Sequence, residues 1–268
     1  MNKKSLSTTR PRHSVLWFIS FQTIVARELN RFLRIWLQTL LPPAITMSLY
    51  FVIFGSVIGK RIGEMSGINY MSYIAPGIIM MAIITNTYGN VVSSFFGAKF
   101  QKHIEEILVS PTPDIIILAG YVTGGVCRGI LVGLIVTVVT LFFTPLKIYS
   151  FSISISVMIL TAVLFSLLGF INGIFAKKFD DIAIVPTFVL TPLTYLGGIF
   201  YSIDLLPPFW KELSLINPVL YMVNAFRYGF LGVSDIDLIH AFGVIITFIL
   251  LLIFLCLYFM KKSFGLRA

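Results

Sequence analysis

Charge is what this sequence has least of. Only 12% of its residues are Asp, Glu, Lys or Arg, against roughly a quarter in an ordinary soluble domain, while 57% are hydrophobic. A soluble globule of 268 residues could bury such an apolar excess only by leaving much of it on its surface, where it would aggregate. Several bilayer spans absorb the same excess. Cysteine is scarcer still. Cys127 and Cys256 sit in apolar runs, which argues against a loop disulfide or a metal ligand. His13, His103 and His240 are far apart and form no ligand cluster. GxSxG, HExxH and paired-cysteine spacings are missing, so the common hydrolase and zinc chemistries have no footing. The string GSVIGKR at Gly55–Arg61 comes nearest to a phosphate loop, but it has too few residues between its glycines, and no Ser or Thr follows the lysine. It also follows an apolar span where a strand is required. The chain carries no recognisable ATP site of its own. No short apolar segment with a small-residue cleavage site follows the basic N-terminus, so a cleaved signal peptide is not expected.

What charge there is leans basic, with a net charge of +9. No compact basic domain accompanies it, so nucleic acid is not an expected partner. In a membrane protein the same lysines and arginines set topology. Stretches free of charge and long enough to cross the hydrocarbon predict an all-α membrane protein with six transmembrane helices, at about 37–58, 69–96, 115–143, 151–175, 182–203 and 239–260. The chain 1–268 then reads as one transmembrane domain. Leu213–Phe226 is too short to span comfortably and carries Asn217-Pro218, which predicts a re-entrant or interfacial segment before the last span. A seventh span would require Arg227 to snorkel. Six spans place Lys3, Lys4, Arg10, Arg12, Arg27, Arg31, Arg34, Lys99, Lys102, Lys177, Lys178, Lys261, Lys262 and Arg267 on one side. Only Lys60, Arg61, Lys147, Lys211 and Arg227 fall on the other. The richer side is cytoplasmic by the positive-inside rule, which puts both termini in the cytoplasm.

Three segments outside the spans are candidates for function. Over 15–36, Phe18, Phe21, Val25, Leu29, Phe32 and Trp36 follow the spacing of one helix face, with Thr23, Arg27, Asn30, Arg31, Arg34 and Gln38 opposite. Such a helix suits the membrane interface, either as a plain anchor or as a surface touching a cytoplasmic partner. Glu28 among the arginines points to the second use. Between the second and third spans, Phe100, Ile104, Ile107 and Leu108 share a face. Gln101, Lys102, His103, Glu105 and Glu106 are left outward, and Ser110-Pro111 ends the helix. It is either a docking helix or a solvated connector. After the fifth span, GGIFYSIDLLPPFWKELSLINPVLYMVNAFRYGFLG reads as an aromatic belt or as a lid folded over an exit path.

Within the spans, Pro42-Pro43, Pro186 and Pro192 are expected to kink their helices. Gly120, Gly124, Gly125, Gly129 and Gly133 make a small-residue stripe that permits close helix approach. Arg128 is the one charge well inside a span. It lies about 20 Å along a helix counted from Ile115 at 1.5 Å per residue, near the middle of the bilayer. There it must face protein or water, bonding freed carbonyls or lining a path for an anionic or polar group.

Three of these passages, in order, carry a resemblance: Arg27-Glu28-Leu29 ahead of the first span, HIEEILVSP at His103–Pro111, and GGIFYSIDLLPPFW followed by NPVLYMVNAFRYGFLG. In them the sequence resembles the membrane subunit of ABC exporters of the ABC-2 type, small bacterial permeases of the inner membrane. The resemblance implies no enzyme activity on this chain. It implies partnership with cytoplasmic ABC ATPase subunits that hold ATP and Mg, and assembly as a homodimer or with a paired permease in membrane lipid. It further implies that Arg27, Glu28, Arg31, Gln101, Lys102, His103, Glu105 and Glu106 lie on the elements that couple to the ATPase. Substrates of such exporters include amphipathic molecules, glycans and drugs. A secondary transporter or channel not coupled to an ATPase has the same composition but would usually need more ionisable residues in its spans than Arg128. A membrane-embedded enzyme would want clustered polar groups at one face.

Overall fold

Residues 13–262 are described in a computed structural model, apart from the side chains of His13, Ile107 and Leu108. Lys3, Lys4, Arg10, Arg12 and Arg267 lie outside them. The described residues form ten helices: α1 (His13–Arg34), α2 (Trp36–Ile62), α3 (Tyr70–Phe100), α4 (His103–Val109), α5 (Asp114–Leu141), α6 (Phe151–Phe175), α7 (Asp181–Tyr195), α8 (Pro208–Leu215), α9 (Pro218–Leu231) and α10 (Leu238–Lys261). Two-residue strands β1 (Glu64–Met65) and β2 (Ile68–Asn69) pair antiparallel between α2 and α3. Ser66 and Gly67 turn between them with φ of 53° and 74°, the positive angles that a tight hairpin of matching twist requires.

Five helices, α2, α3, α5, α6 and α10, are long and apolar enough to cross a membrane. The expected span at 182–203 falls short of this. Its helix α7 stops after 15 residues, a rise of about 22 Å against a hydrocarbon core of about 30 Å. Pro186 and Pro192 are the physical reason. Each removes a backbone donor, and the helix widens into a π turn over Pro186–Leu190. The backbone then turns at Gly198, whose φ is 68°. Pro42 and Pro43, by contrast, are accommodated inside α2, which widens into a π turn only later, at Phe51–Ile58. The stretch expected to be re-entrant forms α8 and α9. Asn217 separates them by capping α9, its Oδ1 accepting from Val219 N at 2.9 Å with Pro218 next in line.

The core sits on α3. In its most apolar window 78% of residues are buried, against 22% in α2 and in α10, so α3 is the central helix and those two turn apolar faces outward to lipid. Glycine makes the tight packing feasible. A Cβ on Gly169 would stand 2.7 Å from the backbone oxygen of Tyr88, and one on Gly133 would stand 2.8 Å from Ile83. The stripe on α5 serves two partners. Gly125, Gly129 and Gly133 face α3 and α6, while Gly120 receives Ile24 and Gly124 receives Glu28 of α1. Because both indices rise together, α1 runs parallel to α5 along its first half.

Helix length also sets the depth of the interior. The 31 residues of α3 rise about 46 Å, well beyond the hydrocarbon. Ser72 on α3 and Thr144 beyond α5 share a hydrogen bond of 2.7 Å, which levels the two helices at that end. Measured from there, Asn90 lies about 27 Å along α3. The remainder of α3, with α4 and much of α1, projects past it.

Candidate functional site

Two of the segments singled out by their polarity meet at the projecting end. Lys102 adopts φ of 61°, a left-handed turn uncommon for a residue with a Cβ, and it swings α4 away from α3. Ile104 is buried and roots the short helix. Gln101, Lys102, His103, Glu105 and Glu106 are exposed. Phe100 does not share the packed face expected of it; it is 59% exposed and meets Phe179 of the α6–α7 loop edge-on at 4.9 Å. A cleft of about 310 Å³ separates α4 from α1. Arg27 lines one wall and Glu106 the other, and Ser20 and Thr112 close the end with a hydrogen bond of 3.1 Å.

Glu28 and Arg31 belong to a different site. The face of α1 that packs is Ile24, Glu28 and Phe32, while Phe18 and Trp36, expected on the apolar stripe, are exposed. Glu28 is only 1% exposed. Its carboxylate accepts from Ser94 Oγ and pairs with Arg31 Nη2 at 3.3 Å. Arg31 Nη2 also donates to Asn90 Oδ1 at 2.7 Å and to the Asn90 carbonyl at 3.0 Å. Arg128 reaches the same amide oxygen from α5, with Nη1 at 3.4 Å. Glu28 and Arg31 therefore do not stand on the outward polar face the spacing suggests. The cause is Gly124, which opens a slot wide enough for Glu28 to lie against the α5 backbone. Arg128 stands halfway along the 28 residues of α5 and joins this cluster from within that helix.

Energetics support a permanent arrangement. A carboxylate this buried is tolerable only when paired and hydrogen-bonded, and removing one partner of such a pair costs about 3–5 kcal/mol. Chemically, two guanidinium groups opposite one carboxylate form a cationic site.

Comparison with known proteins gives this architecture its family. The profile of the ABC-2 type transporter family matches residues 19–231, from within α1 to the end of α9. The chain belongs to the ABC-2 type transporter family. It is 57% identical over 253 residues to the inner membrane transport permease YadH of Escherichia coli K12, covering 94% of this chain and 99% of that protein. More distantly, it is 23% identical over 208 residues to nodulation protein J of Rhizobium leguminosarum bv. trifolii, covering 77% of this chain and 79% of the other. Nodulation protein J of Neorhizobium galegae is 20% identical over 215 residues, covering 80% and 82%. This ABC-2 protein is accordingly a multi-pass inner-membrane permease subunit of an ABC transporter, and a transport protein rather than an enzyme.

At the opposite end of the ABC-2 permease lies a second polar cluster, which the positive-inside count had treated as a solvated charge. Arg227 on α9 is fully buried. Nη2 donates to Gly198 O at 2.5 Å and Nη1 to Asn224 Oδ1 at 3.4 Å, and the guanidinium lies 4.1 Å from the centroid of the Tyr73 ring. Asp235 closes the ring, its Oδ2 accepting from Ile203 N at 3.2 Å and Tyr73 Oη at 3.5 Å. Neither cluster was assembled by sequence reasoning. Its signal was present in the polar run Thr85, Asn86, Thr87, Asn90, Ser93 and Ser94 inside a span, since polar groups at that depth require partners.

Proposed function

We propose that this permease subunit works in an ATP-driven exporter, pairing with cytoplasmic ATPase subunits through the α1–α4 cleft. The observation that carries the reading is the meeting of Arg27 and Glu106 across that cleft, flanked by exposed Gln101, Lys102, His103 and Glu105. A cleft with a cation on one wall and an acid on the other suits a partner surface of mixed charge. It sits at the end of the molecule richer in lysine and arginine, which supports placing that end, with both termini, in the cytoplasm. The chain 1–268 acts as one transmembrane domain with six crossings. The fifth is made by α7 and the turn after it, and α8 and α9 dip into the outer leaflet as a re-entrant pair. ATP and Mg reside on the ATPase. The permease assembles with a second copy or with a paired permease, and the cargo is an amphipathic, glycan or drug-like molecule passing near Arg128.

The test is affinity purification from native membranes. The permease should bring down an ABC ATPase, while the pure chain should hydrolyse no ATP. Arg27→Ala and Glu106→Ala should leave folding intact, because exposed charges contribute only ~0–1 kcal/mol, yet weaken ATPase retention and ATP-driven transport. Hydrolysis by the pure polypeptide, or full retention by the double variant, would overturn the reading.

A further inference from the structure

Four buried polar atoms around Arg31 and Arg128 lack a hydrogen-bond partner: Arg31 Nε, Arg128 Nε, Asn90 Nδ2 and Thr87 Oγ1. All four can donate. Asn90 and Thr87 have no exposed surface, and they lie one helical turn apart on α3. Thr87 Oγ1 rests over Gly129, the residue after Arg128. So many unmet donors in one place are unusual, because buried polar groups are ordinarily paired.

Charge points the same way. Arg31 and Arg128 converge on the single amide oxygen of Asn90, and of these two arginines the Glu28 carboxylate pairs with Arg31. An amide cannot neutralise a guanidinium, so the cluster keeps one positive charge in excess. Two like charges sharing an acceptor away from bulk water repel strongly. An anion is the completion that satisfies both the excess charge and the unused donors.

We propose that Arg31, Arg128, Asn90 and Thr87 form a binding site for the phosphate headgroup of an anionic amphipath held at the inner membrane boundary. Guanidinium forks match phosphate oxygens bidentately, and an amide and a hydroxyl supply the further donors that a tetrahedral oxyanion, with more oxygens than a carboxylate, can take. Asn90 lies about 27 Å along α3 from the Ser72 level, close to the ~30 Å thickness of a hydrocarbon core, a depth that suits a headgroup. Arg31 keeps 32% of its side chain exposed, which leaves a way in. Beyond Arg31 the chain continues into exposed Leu33 at the end of α1 and Trp36 at the start of α2, an apolar flank suited to acyl chains. Because binding concerns the permease alone, this inference goes beyond the exporter reading and stands or falls without an ATPase.

The experiment is native mass spectrometry of the full chain in neutral detergent, with dioleoyl phosphatidic acid, dioleoylglycerol and inorganic phosphate as probes. Phosphatidic acid should be retained and dioleoylglycerol, which has the same chains without phosphate, should not. Arg128→Met should lower retention by about tenfold or more, the worth of one charge-assisted hydrogen bond, and Arg128→Lys by less. Asn90→Asp guards against loss of fold: it is isosteric, balances both arginines, and should melt no lower than wild type while losing phosphatidic acid. A purely structural cluster predicts the same melting with binding unchanged. Equal binding of the two lipids, or undiminished binding by Asn90→Asp, overturns the proposal. Displacement of the lipid by submillimolar inorganic phosphate assigns the site to soluble phosphate and overturns the headgroup assignment.

Discussion

Replacing Arg227 by methionine removes a charge without removing much volume, and the consequences can be worked from the geometry. Two hydrogen bonds disappear, to Gly198 O at 2.5 Å and Asn224 Oδ1 at 3.4 Å, together with the stacking over Tyr73 at 4.1 Å. Hydrogen bonds from charged groups are worth about 1.5–3 kcal/mol each, and a desolvated cation over an aromatic ring about 2 kcal/mol. The longer bond lies at the weak end, and methionine recovers part of the packing. Asp235 remains behind, held by Ile203 N and Tyr73 but without its nearby cation. Losses of about 3–5 kcal/mol are usual when one member of a buried charged set is removed. At roughly 2–4 °C per kcal/mol for a chain of this size, melting should fall by on the order of 10 °C. Fluorescence-detected size-exclusion chromatography after heating in detergent measures this. Arg227→Lys, which keeps the charge but not the fork, should fall between. A topological role alone predicts normal melting with altered sidedness. Melting of Arg227→Met within about 2 °C of wild type, well inside the loss expected, would refute the reasoning.

Two further predictions rest on packing and on topology. Gly169→Ala should lower melting, since its new methyl meets the Tyr88 backbone at 2.7 Å and overpacking costs about 1–3 kcal/mol. Gly89→Ala meets nothing within 4 Å and should be neutral or stabilising by up to about 1 kcal/mol, and equal melting of the two would show that close packing is not what glycine provides. Single cysteines at Lys178 and Lys262 should escape an impermeant thiol reagent in intact cells while one at Lys211 reacts; labelling at 262 from outside would defeat a six-crossing arrangement.

The broad architecture was legible because lipid leaves so little choice. Of the six spans that charge-free runs predicted, five are membrane-length helices close to the expected bounds, and the glycine stripe on α5 does admit neighbouring helices closely. The α4 helix ends at Val109, where Ser110-Pro111 put its end, but it starts only at His103 and leaves Phe100 on α3. What stayed hidden were features that depend on where a partner helix lies. Helical periodicity sorts residues by polarity, and on that basis Glu28 and Arg31 belong to a solvated face. Gly124 reverses the sorting by opening the α5 backbone to Glu28. Arg227 was misjudged for the same reason: a charge near a span end reads as solvated unless Tyr73, Gly198 and Asn224 are known to surround it. The shortfall of α7 was signalled by Pro186 and Pro192, but its extent depends on the π turn between them, which composition does not reveal.

The two cation sites on α1 are also one mechanical object, and this decides which variants report on what. Arg27 lines the cleft facing α4, and Arg31 enters the Asn90 cluster one helical turn later. Between them Glu28 lies against Gly124, with no α5 side chain intervening to absorb a shift. Close-packed interfaces of this kind move as units or not at all. No loop separates Arg27 from the Arg31–Arg128 pair, because α1 is continuous between them. Arg31→Ala would strip a partner from buried Glu28 and loosen α1 from α3, so a loss of transport would say nothing about docking. Arg27→Ala leaves the cluster whole and touches only the cleft. If Arg27→Ala abolishes ATPase retention while phosphatidic acid binding persists, and Asn90→Asp does the reverse, the two sites are separable in chemistry although joined in the fold.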